Sequence, residues 1–447
     1  MTRPAHRRHA VVIGGSMAGL LAARALADHF DRVTVLERDA LPDGPDARKG
    51  TPQARHIHVL LTAGRRALEQ LYPGLMTDLI AAGAVDYDAI NDFEWVAAAG
   101  RATRFPSDIR LLGATRDLIE WGVRRRMLAT ANVTVRQGVD VNGVRLDAGG
   151  KRVVGLTLTD RTAGSAGEQL DADVIVDAAG RGSKSPQWLA EHGFPAPRET
   201  TIDGFLGYAS RMVRPPANFN ADWKTLYVQC APPARKRGGV IATVEGGKWI
   251  VTLTGGGKDY PPTDEDGFRA FARSLADPRF AEAVEASEPL TDIVGTKTTV
   301  NRVRHYEELT RRPEGWLVAG DAACAFNPVY GQGMSAAAVG ATLLADCLTA
   351  RPHTTDGLAG DFQKRLAKAN TRPWLLATGE DYRYSEAEGP PAGRMMRLMH
   401  GYLDRVFAVA TRVPAVRRRL TEVIHLVRPP ESLFHPGVMA RAAFSRG

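Results

Sequence analysis

The chain has 447 residues, enough for two or three packed units rather than one small core. Its 44% hydrophobic and 24% charged residues are those of a globular protein and exclude a disordered or fibrous class. The net charge of +8 is spread over scattered arginines with no nucleic-acid-reading motif, so an acidic partner is permitted and a nucleic-acid partner is not expected.

Cys230, Cys324 and Cys347 are far apart and lack paired metal-ligand spacing, which points to a reducing compartment and to no metal site. The basic start, MTRPAHRRHA, runs into an apolar stretch that glycines interrupt within a few residues, so it does not read as a signal peptide. No apolar run reaches the roughly 18 residues that span a bilayer. A cytoplasmic protein with no integral membrane segment is expected.

Residues 10–13 (AVVI) read as a strand, 17–27 as a helix and 32–36 as a second strand ending at Glu37. This is the βαβ dinucleotide pattern in its proper order. Gly14 makes the tight turn, and Gly19 lets the helix pack on the strand. Glu37 falls eighteen residues after Gly19, where an acid accepts ribose hydroxyls. Ser16 stands where the pattern has its middle glycine, so its side chain either points away from a pyrophosphate or donates to it.

A polar loop over 41–53 precedes QARHIHVLLTAGRRALEQLYPGL, which reads as one helix with His56 and His58 at its entry. Histidines two apart at a helix start do not share a face, which argues against a two-histidine metal site. Strands and turns follow over 92–105. Residues 114–128 read as a helix capped by Thr115. Arg116 in its first turn opposes the helix dipole and calls for an anion, either a neighbouring acid or a ligand.

Residues 132–179 read as paired strands, the last of them (DVIVDAA, 173–179) apolar enough to be buried on both faces. Asp177 closes that strand, and Gly180 and Gly182 follow. From about 199 to 301 the texture is alternating, with turns such as Gly246-Gly247, as in an antiparallel sheet built from hairpins. A short helix is expected over 267–275.

The strand 316–319 ends at GDAACAFNPVYGQGMSAAAVG (residues 320–340). Asp321 can accept hydrogen bonds from sugar hydroxyls. The loop with Asn327 and Pro328 leads to Gly331 and Gly333, which open a small-residue helix over 334–348. A helix N-terminus carries free N–H groups and favours an anion, and the glycines admit a flat ligand close to the backbone. The rest reads as helical. Residues 394–427 mix apolar positions with arginine, and Asp404, Glu422 and Pro429-Pro430 make a helical cap the better reading than a membrane-surface helix.

Four stretches carry a family resemblance: the Ser16-bearing fingerprint, RKGTPQARHIH (48–58), VDAAGRGS (176–183) and GDAACAFNPVYGQGM (320–334). Together they resemble FAD-dependent monooxygenases of the aromatic-hydroxylase type, nearest to actinobacterial natural-product epoxidases that act on polyether-type olefins. The resemblance covers most of the chain and is loose over the last hundred residues. Cys324 departs from the histidine that many aromatic hydroxylases carry after the GDAA run.

The resemblance implies an α/β fold: a Rossmann-like FAD-binding domain, an antiparallel β-sheet substrate domain and a helical C-terminal region. The implied division is FAD-binding domain over 1–198 (with early substrate-domain strands near 85–112), substrate domain over 199–300, a second FAD-binding part over 301–350, and a cap over 351–447. The expected cofactor contacts are Gly14, Gly15, Ser16, Met17, Ala18, Gly19, Glu37, Arg38, Arg116, Gly180, Asp321, Gly331, Gln332, Gly333 and Met334. Pro328, Tyr330 and His56 are the candidates for catalysis.

The implied cofactors are non-covalent FAD and NAD(P)H as reductant, delivered directly or through a partner flavin reductase. A single fingerprint leaves NAD(P)H without a domain of its own. No redox cysteine pair is present, nor the Trp-x-Trp-x-Ile-Pro stretch of flavin halogenases. The implied reaction is oxygen insertion from O2 into a hydrophobic polyketide or terpenoid, foremost olefin epoxidation through a flavin hydroperoxide. Hydroxylation, a prenyl reductase on the same fold and a non-catalytic flavin carrier are the alternatives. Leu226, Val228, Ile241, Trp249 and Val251 are the hairpin residues expected to line the substrate site, half of which alternation would turn outward.

Overall fold

The computed structural model describes residues 8–219 and 221–444. The basic start of the chain, residues 1–7, lies outside the described residues. The centre of the first unit is a five-stranded parallel sheet in the order Trp316–Val318, Val174–Asp177, His9–Ile13, Arg32–Glu37, Val133–Gln137. Its middle strands are continuous apolar runs because both faces are covered. The helix Met17–Ala27 buries nine of its eleven residues, being packed between the sheet and the helix Gly333–Thr349. Small residues on the latter permit close approach: a Cβ on Gly64 of the helix Thr62–Leu71 would lie 2.6 Å from Ser335 Cα.

The second unit is an eight-stranded mixed sheet. Its order is Glu288–Pro289, Gly207–Arg214, Trp249–Gly255, Arg237–Thr243, Thr225–Val228, Phe93–Ala97, Gly100–Arg101, with Val294–Thr296 pairing Gly207–Arg214 off this path. The hairpin turn at Gly246-Gly247 has φ of 72° and 67°, which is why two glycines stand there. One face of the sheet carries Leu226, Ile241, Trp249 and Val251 against Phe268 and Phe280 of the helices Glu265–Arg273 and Pro278–Ala286. The other face carries Tyr227, Val240, Ala242 and Ile250 and borders a cavity.

The C-terminal helices Arg394–Ala410, Pro414–Ile424 and Pro436–Phe444 pack Val406, Val409, Val416, Leu420 and Val438 around Trp95 and Ala97 of the sheet. The helix Leu358–Asp381 runs beside Gly333–Thr349 and ends at a buried aspartate. Among the described residues no helix is long and apolar enough to cross a membrane.

One element differs from the sequence expectation. Residues 53–75 do not form one helix: Pro52–Arg55 is a single 3-10 turn, 56–61 is irregular, and the helix begins at Thr62. Apolar spacing at Leu60 and Leu61 imitates a helical stripe. Their burial comes instead from the neighbouring helices, and Leu61 N donates to Ser335 Oγ at 3.1 Å.

Candidate functional site

Parallel pairing brings the two halves of the motif together. Ile13 is in register with Asp177 and Leu36, and Asp177 with Val318, so Gly14, Ala178, Glu37 and Gly320 all emerge at one sheet edge. Ligands of open α/β sheets bind at that carboxyl edge. Gly14 has φ +100°, and a Cβ there would lie 2.6 Å from Ala178 O. A Cβ on Gly19 would lie 1.8 Å from Gly14 O. Gly320, with φ +60°, would place a Cβ 2.5 Å from that of Ala18, so the two stretches touch.

A buried charge network stands over this turn. Glu37 accepts from Gly15 N at 2.7 Å and from Asp39 N at 3.0 Å. Arg48 links Asp39 at 3.0 Å, Glu120 at 3.0 Å and Glu37 at 3.6 Å. Ser16 Oγ donates to Glu120 at 2.8 Å, and Arg116 pairs with the same carboxylate at 2.6 Å. Burial works to raise the Glu120 carboxyl, but Arg116, Arg48 and the Ser16 hydroxyl outweigh it and hold the group below its ordinary range. The protein anion that Arg116 meets is therefore Glu120, one helical turn on. Arg116 Nη1, however, is buried with no partner.

Asp321 lies deep in the molecule, where burial raises its carboxyl and Arg181, Arg302 and Arg116 oppose the rise. Its side chain nonetheless keeps 45% of its surface accessible. Arg181 Nε stands 3.9 Å from its Oδ2. Gly331, φ +64°, ends the turn Pro328–Tyr330, and the helix starting at Gly333 presents its first N–H groups there. A Cβ on Gly333 would meet nothing within 4 Å, and Gln332 Oε1 is buried without a donor. Met17 and Met334 are buried, Gly180 opens a turn with φ +71°, and Arg38 is exposed at the end of its strand.

The adjoining cavity measures about 1250 Å³ and is mostly apolar. Pro328, Tyr330, Gly331, Gln332 and His56 line it. His56 Nδ1 is 2.8 Å from Ser210 Oγ, which is 2.7 Å from Thr252 Oγ1. Burial, with Arg55 adding, lowers the imidazole to about 4, so it is neutral near pH 7. Tyr330 donates its hydroxyl to Asp381 Oδ1 at 2.7 Å, and burial raises the phenol well above its usual value. Asp381 also accepts from Asn301 at 2.6 Å and Asn327 at 3.0 Å. The Tyr330 hydroxyl is thus tied into the support of the 327–330 loop rather than poised as a free base.

The hairpin expectation is corrected by sheet parity. Leu226, Ile241, Trp249 and Val251 face the helical layer, and of the five named residues only Val228 is also among the cavity residues. Their neighbours Thr225, Tyr227, Val240, Ala242 and Ile250 line the cavity instead. Asp177 accepts from Ala179 N at 2.9 Å and from the hydroxyls of Ser183 and Ser185, which makes it a structural strand end. Arg48, Glu120, Asp381 and Asn301 were not expected at the site. Glu120 was legible as the i+4 partner of Arg116, and Arg48 lies in the quoted 48–58 stretch. Asp381 gave no local signal.

FAD fits this set. An unpartnered guanidinium nitrogen suits a pyrophosphate oxygen, an unpartnered amide oxygen suits a ring or sugar donor, and the glycine turn admits a ligand at the backbone. Residues 7–355 match the family described as FAD binding domain. Protein Rv3254 of Mycobacterium tuberculosis is 34% identical over 91% of this chain and 87% of its own length. Kynurenine 3-monooxygenase of Salinispora tropica is 28% identical over 79% of this chain and 75% of its own. The solved structure of the flavin-dependent brominase Bmp2 superposes with a TM-score of 0.68 at 15% identity, covering 97% of this chain and 98% of that one, which is a likeness of fold. On the matched domain and the extent of these relatives, the chain belongs to the FAD-binding family of flavin-dependent monooxygenases.

Proposed function

We propose that the chain inserts one oxygen atom from O2 into a hydrophobic natural product, foremost by epoxidation of an olefin in a polyketide or terpenoid. The observation that carries this reading is the mostly apolar cavity of about 1250 Å³ beside Gly331 and Gln332, where the two candidate bases nearest that turn, Tyr330 and His56, are committed to other partners. Tyr330 donates to Asp381, and His56 is bonded to Ser210. Phenol hydroxylation is helped by a base that removes the phenol proton, whereas addition of oxygen across a double bond needs none. Orientation in a dry cavity is then the protein's main contribution.

In this reading Glu37 and Asp321 accept hydrogen bonds from the sugar and ribityl hydroxyls of FAD. Arg116 donates through Nη1 to the pyrophosphate, with Ser16 and Glu120 fixing its orientation. The N-terminus of the helix Gly333–Thr349 favours negative charge on the ring, and Gln332 accepts through Oε1. Bound FAD supplies the redox and oxygen-activating chemistry, with NAD(P)H as reductant, directly or through a flavin reductase. Pro328 shapes the cavity wall, and His56, neutral near pH 7 and bonded to Ser210, borders the cavity as a polar wall residue rather than as a base. The flavin is non-covalent, so denaturation is expected to release all yellow colour.

Asp321→Ala is expected to weaken FAD binding about ten- to a hundred-fold, since hydrogen bonds to a charged group contribute roughly 1.5–3 kcal/mol. Titration of apoprotein with FAD measures it, and wild-type affinity would remove Asp321 from the site. The reaction is tested with 18O2: label from O2 in the product supports the monooxygenase reading, and label from water alone sinks it. A product that keeps every double bond while gaining a hydroxyl would replace epoxidation by hydroxylation. Saturation without O2 uptake would replace both by a reductase.

A further inference from the structure

Arg417, on the helix Pro414–Ile424, has no role in the reading above, and its surroundings are unusual. The residue is only 5% exposed, yet it is among those lining the cavity. Among the described residues its guanidinium makes no hydrogen bond and no ion pair, and its Nε is buried with no acceptor. One face of the group lies over the Trp95 ring, 4.2 Å from the centroid. Stacking of that kind offsets part of the cost of burying a cation but leaves the in-plane N–H groups unused. Burial lowers the group to about 10, with no carboxylate counteracting the shift. It is therefore still a cation near pH 7. Glu380 and Glu431 also border the cavity, and neither pairs with it.

The other arginines buried to this degree all have acceptors: Arg116 meets Glu120, Arg304 meets Glu199, Arg211 meets Glu265, and Arg124 donates to the carbonyls of Pro42 and Gly44. A buried, unpaired guanidinium is costly unless a ligand completes it. We propose that Arg417 is a specificity-determining residue that binds the anionic group of the substrate, so that the cavity takes a hydrophobic organic acid with a planar carboxylate. A carboxylate suits the fork of N–H donors, which two oxygens can engage at once. Trp95 in turn meets the Phe407 ring edge-on, with centroids 5.8 Å apart, and both rings line the cavity as an apolar wall for the adjoining carbon chain. His425 adds no second cation, because burial and the nearby Arg417 lower its imidazole to about 4. This assignment deepens the reading of the cavity as the substrate site and rests on it.

The test is calorimetric binding to FAD-loaded protein without reductant, using the straight-chain acids from octanoate to palmitate and the primary alcohols of the same lengths. Wild type is expected to bind at least one acid ~10-fold or more tighter than its alcohol, as one charge-assisted pair implies. Arg417→Met is expected to abolish that preference while binding the alcohol within about two-fold of wild type, because a similar volume is kept. Arg417→Lys is expected to retain part of the preference, since the charge remains and the fork is lost. Equal binding of acid and alcohol by wild type, survival of the preference in Arg417→Met, or failure of every acid to bind would each overturn the assignment. Arg365, Lys368 and Arg372 also border the cavity, so an acid preference is assigned to Arg417 by its loss in Arg417→Met or, where that variant does not fold, by its reduction in Arg417→Lys. Because no turnover is involved, parity of acid and alcohol would leave the monooxygenase reading standing, and failure of the 18O2 experiment would leave a measured acid preference intact.

Discussion

Gly19→Ala is expected to give protein that binds no FAD and unfolds at markedly lower temperature than wild type. The added Cβ would stand 1.8 Å from Gly14 O and 2.9 Å from Gly14 C. Neither side can yield cheaply. Gly14 N donates to Leu36 O at 2.8 Å, and Gly14 is held at φ +100° against Ala178. The helix would have to lift from the strand it covers, at a cost on the order of 3 kcal/mol for overpacking of this kind. The same movement would displace the turn at residues 14–16. Gly401→Ala is the matched control, because it is also a helical glycine and its Cβ would meet nothing within 4 Å. Flavin absorbance per protein and thermal unfolding of both variants are the measurements. A Gly19→Ala protein with full flavin content and wild-type melting would show that the helix does not start as described.

The second large effect is expected at Asp381. Asp381→Leu would strand three donors that now meet one buried carboxyl, from Asn301, Asn327 and Tyr330. Each unsatisfied buried group costs about 1–3 kcal/mol, so the three together imply a loss of at least about 3 kcal/mol. The loop of Asn327 to Tyr330 would also lose its anchor, and FAD binding should weaken with it.

The loss should depend on pH. Burial, with Asp203 adding, raises the Asp381 carboxyl to about 7, against the hydrogen bonds from Tyr330, Asn327 and Asn301. An unfolded aspartate titrates near 4. The folded state therefore holds this proton more tightly, and the stability it contributes is full below about pH 4, declines as pH rises and is lost above about pH 7. The difference in unfolding free energy between wild type and Asp381→Leu should accordingly be larger at pH 5 than at pH 8. Denaturant unfolding at both values measures it. A difference that is the same at both would place the titration on another group.

How much of this was legible follows from where each signal resides. The runs at 10–13 and 173–179 are apolar without alternation, which already implies strands covered on both faces. Gly14, Gly19 and Glu37 lie within thirty residues of one another, so their relation is set by one turn and one helix. The 320–340 stretch is similarly local. These features depend on φ, on steric size and on spacing along one or two elements, and all of those are properties of neighbouring residues.

Parity shows where such reading stops. Alternation in Thr225–Val228 and Trp249–Gly255 identifies two faces but not which of them meets the cavity. Two helices, Glu265–Arg273 and Pro278–Ala286, claim one face, and the cap packs on the far end of the other. Likewise the apolar spacing before Thr62 imitated a helix because burial there comes from elements distant in sequence.

By itself the sequence determined the parallel α/β core, the glycine turn, the acid at the end of the second strand and the anion-favouring helix start at Gly333. Only the tertiary structure decided that Ser16 and Arg116 share Glu120 with Arg48, that Asp381 gathers Asn301, Asn327 and Tyr330, and that Arg417 is left over Trp95 without an acid. The physical reason is the same in each case. A buried charge is defined by the groups that meet it in three dimensions, and those groups come from elements tens to hundreds of residues apart, whose approach is set by packing rather than by spacing.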